Sequence, residues 1–194
     1  MRTTRYGSGG PPLVLVHGLA CDGSDWAAQV AAFEPRTTVI VCELPGHGSS
    51  PAIPADCTVG AYGAALVRDL IEQAVGPAIL VGHSMGCRIV VEAYRVEPTI
   101  ASGLVLIDGS RIGAGEVEVA LDCIAVPLLA IQTTTMDTAR QRASLQPGES
   151  SPWLDLIRAH VPHAAITTLF GSGHFPQIER SQEITELIAC FAQL

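Results

Sequence analysis

Aromatic side chains make up only 5% of this 194-residue chain and charged ones only 15%, while 48% of residues are hydrophobic. So little charge beside so much apolar surface excludes an extended disordered chain and points to a globular one. The few aromatic rings leave few anchors from which to read a pocket. Basic residues are also scarce: 11 Lys and Arg stand against 19 Asp and Glu, a net charge of -8. That balance repels a phosphate backbone, so nucleic acid is not an expected partner. No apolar run approaches the roughly 18 to 20 residues of a membrane span, and the first residues up to Pro12 contain no export-type apolar segment. A cytoplasmic protein without a membrane partner is expected. The six cysteines, at 21, 42, 57, 87, 123 and 190, include no Cys-x-x-Cys pair and no His at zinc-finger spacing. They read as free thiols, with no metal and no cofactor motif. Neither a repeat nor a low-complexity linker divides the chain, so residues 1–194 are expected to form one domain.

What is present is an alternation of short apolar runs with helical patterns. Leu13-Val14-Leu15-Val16, Thr37 to Cys42, Ala78 to Val81, Gly103 to Ile107, Val126 to Thr133 and Ala165 to Phe170 read as strands. Helical spacing falls between them: Trp26 to Phe33, Thr58 to Ile71, the stretch after Ser84 as far as Glu97-Pro98, the stretch after Ser151-Pro152, and about Gln182 to Ala192. Each parallel strand pair needs a crossover, so this order predicts an α/β fold with a mostly parallel sheet and helices on both faces. Ligands of such sheets sit outside the carboxyl ends of the strands. His17, Ser84, Asp108 and His174 each follow the last apolar residue of an expected strand, which gathers them at one rim.

Ser84 lies in Gly82-His83-Ser84-Met85-Gly86, between a buried-strand pattern and an amphipathic helix pattern. A strand that turns into a helix within one or two residues strains the serine and crowds its neighbours, so glycine is needed on both sides. The turn lifts the Ser84 hydroxyl off the sheet and sets the Met85 N–H at a helix N-terminus, where negative charge is stabilised. A serine hydroxyl is a poor nucleophile at neutral pH and needs an imidazole within reach, itself oriented by a carboxylate. Of the six histidines, His174 is the best base, because Gly171-Ser172-Gly173-His174 places it in a glycine-flanked loop after the last strand. His83 neighbours the nucleophile along the chain, which is the wrong geometry for proton transfer, and supports the site in another way. His160 and His163 read as surface residues at a helix end. His47 lies at the same rim and touches substrate or braces its loop.

His17-Gly18-Leu19, Pro45-Gly46-His47-Gly48, Gly82-His83-Ser84-Met85-Gly86 and Gly173-His174-Phe175 together resemble the α/β-hydrolase superfamily, in its order and spacing over nearly the whole chain. The resemblance implies an oxyanion hole formed by the N–H groups of Leu19 and Met85, with His17, Gly18, His47 and His83 around bound substrate. It leaves two candidates for the acid. The usual position after the penultimate strand offers Asp137, displaced and without the customary glycine. Asp108, in an Asp-Gly turn at the rim, occupies a position that some small bacterial esterases of the superfamily use, and is preferred. Asp22 and Asp25 read as helix caps. Only residues 109–125 stand where the family commonly inserts a helical cap, so the expected architecture lacks a substantial one, by natural loss or by deletion, and its rim is open.

The expected activity is that of a serine hydrolase acting on a small-molecule carboxylic ester, lactones and thioesters included, through an acyl-enzyme. Two other readings stay open: a non-hydrolytic biosynthetic member of the superfamily (lyase, dehydratase or acyltransferase), and a non-catalytic binding protein on the same scaffold.

Overall fold

The computed structural model describes residues 1–51, 58–111, 115–136 and 141–194. Its main sheet has seven strands in the order β1-β3-β2-β4-β5-β6-β9. These are β1 (Arg2–Tyr6), β2 (Leu13–Val16), β3 (Val39–Glu43), β4 (Ala78–His83), β5 (Ala101–Ile107), β6 (Leu128–Gln132) and β9 (Ala165–Thr168). All pairings are parallel except that of β1, which runs antiparallel along β3 at the edge. The parallel α/β sheet expected from the sequence is therefore present, with β1 as an addition.

The strand period of two sorts the apolar residues onto two faces. On β2, Val14 and Val16 face one core with Ile40, Leu80, Leu104 and Leu106. That core is closed by α2 (Val59–Glu72), α3 (Met85–Val96), α4 (Gly115–Asp122) and α5 (Pro152–His160), through Leu66, Leu70, Ile89, Val90, Leu121, Trp153 and Leu154. Leu13 and Leu15 face the other core with Val41, Val81, Val105 and Ile107, closed by α1 (Ala27–Phe33) and α7 (Ser181–Ala192) through Phe33, Ile184 and Ile188. Both strand faces are covered, which is why β2 and β4 read as unbroken apolar runs.

Local chemistry sets the helix starts. Thr58 Oγ1 accepts from the Ala61 N–H at 3.1 Å, and Ser151 Oγ accepts from the Leu154 N–H at 3.1 Å with Pro152 in the first turn. Before α1, a 3-10 turn (Gly23–Trp26) is capped by Asp22, whose Oδ1 accepts from the Ser24 N–H at 2.8 Å, while Asp25 sits inside the turn.

Between β5 and β6 the described residues hold α4 and nothing else of regular structure, so among the described residues no large cap covers the rim. A short hairpin, β7 (Thr134–Met136) and β8 (Arg142–Ser144), leaves the end of β6, and α6 (Pro176–Glu179) follows the loop after β9. No helix among the described residues is long and apolar enough to cross a membrane.

Candidate active site

Ser84 joins β4 to α3 with φ 53° and ψ −115°, a left-handed strain that an L-residue adopts only when its surroundings force it. The forcing is close packing of backbone. A Cβ on Gly82 would stand 2.4 Å from the Gly86 carbonyl oxygen, and one on Gly86 would stand 2.3 Å from that of Val16. The Ser84 N–H is fixed by the Ile107 carbonyl at 2.9 Å. What remains free is the side chain, and His174 Nε2 lies 2.9 Å from its Oγ.

The other ring nitrogen, His174 Nδ1, lies 2.6 Å from Asp108 Oδ2. A carboxylate can only accept, so Nδ1 carries the proton and Nε2 presents its lone pair to the Ser84 hydroxyl. Asp108 is fully buried and holds φ 47°. Its Oδ1 accepts from the N–H groups of Thr133 at 2.9 Å and Thr134 at 2.8 Å, and its Oδ2 accepts from Thr134 Oγ1 at 2.6 Å. Burial by itself would raise its pKa, but the hydrogen bonds from His174, Thr134 and the Thr133 and Thr134 backbone outweigh it and leave the group below the usual carboxylate range. Asp108 is therefore an anion at neutral pH. Asp137, the other candidate acid, lies outside the described residues.

The turn after β2 comes up against Ser84: a Cβ on Gly18 would meet Ser84 Cβ at 3.0 Å and His83 Nδ1 at 3.2 Å. His17 holds that turn. Its Nε2 accepts from the Leu44 N–H at 3.1 Å, so its Nδ1–H donates to the Gly18 carbonyl at 2.8 Å, and burial lowers its pKa. Leu19, next along the chain, is exposed. Met85 opens α3, where the first N–H groups have no intrahelical acceptor.

Two of the expected substrate contacts need correction. His17 and His83 are both completely buried, so neither ring faces an incoming molecule. His83 instead donates from Nε2 to the carbonyl of His174 at 2.7 Å, with ring centroids 4.9 Å from His174 and 5.3 Å from Phe175. Burial pulls its pKa down to about 4, which keeps it neutral. His47 is half-buried, with its ring 5.3 Å from that of His17 and its Nδ1 3.2 Å from the Pro45 carbonyl. His160 and His163 lie away from the site, bonded to Asp122 and to the Val126 carbonyl.

Sequence reasoning missed the supports of the loop that carries His174. Glu179 on α6 accepts from the Gly173 N–H at 2.6 Å and the Phe175 N–H at 3.4 Å. Thr133 Oγ1 donates to the Gly173 carbonyl and Ser144 Oγ to the Ser172 carbonyl, at 2.8 and 2.7 Å. The run Thr133-Thr134-Thr135 was the available signal, since hydroxyls clustered at a strand's carboxyl end satisfy loop backbone or a buried anion.

The profile of the alpha/beta hydrolase family matches residues 13–158. The chain belongs to this family. Among curated relatives, this family member is 31% identical over 100 residues to the (E)-2-((N-methylformamido)methylene)succinate hydrolase of Acinetobacter baylyi, across 52% of this chain and 38% of that protein. It is 35% identical over 101 residues to the pimeloyl-[acyl-carrier protein] methyl ester esterase of Methylococcus capsulatus, again across 52% of this chain and 38% of that protein. The matched stretches thus span well under half of those relatives. Among solved structures, the enol-lactonase from Burkholderia xenovorans superposes with a TM-score of 0.84 at 18% identity, covering 100% of this chain and 96% of that one, a likeness of fold.

Proposed function

We propose that this chain is a serine hydrolase that cleaves a carboxylic ester, a lactone or thioester being open to the same chemistry, with Ser84 as nucleophile, His174 as base and Asp108 as the acid that orients it. The observation that carries the reading is the continuous line Ser84 Oγ, His174 Nε2, His174 Nδ1, Asp108 Oδ2, at 2.9 and 2.6 Å. The matched relatives named as a hydrolase and a methyl ester esterase support it.

Ser84 Oγ attacks the acyl carbon as its proton passes to His174 Nε2, and the N–H groups of Leu19 and Met85 receive the oxyanion. The imidazolium, paired with Asp108, protonates the leaving oxygen and releases the alcohol. Water then attacks the acyl-Ser84 ester, His174 takes its proton, and the carboxylic acid leaves as Ser84 regains its hydrogen. An uncapped rim admits that water, and the His174 side chain keeps 19% exposure. Residues 1–194 act as one domain in this reading, with 109–125 as a short connection and His47 beside bound substrate.

Turnover of p-nitrophenyl esters of graded chain length tests the proposal. Wild type releases both nitrophenol and acid, Ser84→Ala releases neither above background, and Asp137→Asn retains turnover while Asp108→Asn loses it. Hydrolysis that survives Ser84→Ala overturns the reading. Acyl-enzyme formation without release of acid would point instead to transfer onto a second acceptor.

A further inference from the structure

The Asp108 carboxylate has one partner that the proton relay does not require. On β8, Arg142 stands opposite Met136 of β7, and its side chain, 27% exposed, reaches inward. Its Nη1 lies 3.2 Å from Asp108 Oδ2 and 2.7 Å from Thr134 Oγ1. Thr134 passes the contact on: its oxygen accepts from the guanidinium while its hydrogen goes to the same Oδ2 at 2.6 Å. Guanidinium, hydroxyl and carboxylate close a triangle in which every donor meets an acceptor. The oxygen at its apex is also the one that takes the His174 Nδ1–H.

That sharing has a consequence for the reaction proposed above, on which this inference rests. When His174 accepts the serine proton it becomes a cation, stabilised by the charge of Asp108. A second cation on the same carboxylate draws on the same negative charge and opposes the protonated ring. We infer that Arg142 is a positioning residue: it fixes the Asp108 carboxylate through the same oxygen that takes the His174 Nδ1–H and offsets part of its charge, which extends turnover to lower pH.

The other groups around the pair do not supply this effect. From β4, His83 is neutral. From α3, the Cys87 thiol, 3.3 Å from the Ile107 carbonyl, is buried and its pKa is raised, so it stays uncharged. From α6, the Glu179 carboxylate is bonded to the Gly173 N–H. Arg142 is the cation that contacts the acid among the described residues.

The test is the rate of p-nitrophenyl acetate hydrolysis from pH 5 to 9 for wild type, R142Q and R142K, with thermal midpoints alongside. Coulomb attraction at this separation, discounted for partial exposure, sets the expected scale at about one pH unit. In R142Q the acid limb of kcat/KM moves up by that amount, so the rate falls by up to about tenfold on the acid side of the limb, the loss vanishes on the alkaline plateau, and KM is unchanged. In R142K, whose shorter side chain ends in a strongly hydrated ammonium in place of the planar guanidinium, the limb moves about half as far, and this variant decides the matter alone if R142Q does not fold. A limb that stays in place, or a loss equal at every pH and tracking a lower midpoint, overturns the inference. A wild type that neither hydrolyses esters nor reacts with a serine-directed phosphonate removes the reading of Ser84 as well. A wild type that turns over while the limb stays fixed contradicts the role of Arg142 alone.

Discussion

On the elbow side of the site, Ser84 is set by backbone: a strained φ, two glycines whose Cβ atoms would collide with carbonyl oxygens, and one main-chain hydrogen bond to Ile107. On the other side, Asp108 and His174 are set by side chains that arrive from distant elements, namely Thr133, Thr134 and Arg142 around the acid and His83, Ser144 and Glu179 around the base loop. A turn held by backbone tolerates almost no change at its neighbours and is readable locally. A side-chain pair held by a network loosens by degrees as members are removed, and little of that network is visible in any one stretch of sequence.

The sharpest way to break this comparison is at the elbow. Gly86→Ala puts a methyl group 2.3 Å from the Val16 carbonyl oxygen, and no flexible side chain can yield there. We expect a loss of at least about 3 kcal/mol in urea denaturation, with ester turnover gone. A variant that folds with wild-type stability would show that the elbow is looser than its contacts require.

On the network side, Asp108→Asn leaves shape intact but favours the wrong imidazole tautomer, and kcat is expected to fall about 10⁴-fold with KM little changed. Removing a supporting hydroxyl should cost far less. Thr134→Val deletes one donor to Oδ2 and the acceptor of Arg142, and an expected loss of roughly 1.5 to 3 kcal/mol in stability goes with a fall in kcat of about tenfold. Near-equal effects of the two substitutions would erase the distinction between the acid and its supports.

The smallest and most selective effect is one of pH. His83 has its pKa lowered to about 4 from 6.5, chiefly by burial, so the folded protein holds it neutral where the unfolded chain takes up a proton. Its contribution is whole above pH 6.5 and is lost as pH falls toward 4. By pH 5 the loss amounts to about 2 kcal/mol. Urea denaturation at pH 7 and pH 5 should therefore show His83→Gln losing less stability on acidification than wild type, and parallel losses would contradict the assignment.

The same contrast explains what could be read without coordinates. The parallel sheet, the elbow at Ser84 and the choice of His174 follow from runs and turns contained within a few residues. The anionic state of Asp108 does not, because the groups that hold its carboxyl low are His174, 66 residues away, and Thr134 and Thr133, 26 and 25 residues away. Strand β1 escaped notice because an edge strand with only Thr3 and Tyr6 half-buried has no apolar run. The hairpin of β7 and β8 escaped because its strands, at three residues each, are too short to show a period. The motifs of His17 and His83 sit at the rim, which does not say where their rings point. Which way a ring turns there is decided by the Leu44 N–H and the His174 carbonyl.

The proposed mechanism makes Ser84 Oγ a nucleophile activated by His174. Its most direct measurement is the mass of the intact protein and of its peptides after incubation with a fluorophosphonate. A single adduct is expected on the peptide carrying Ser84, formed in wild type, slowed by orders of magnitude in His174→Ala and absent in Ser84→Ala. An adduct on another residue, or one that forms at the wild-type rate without His174, would contradict it.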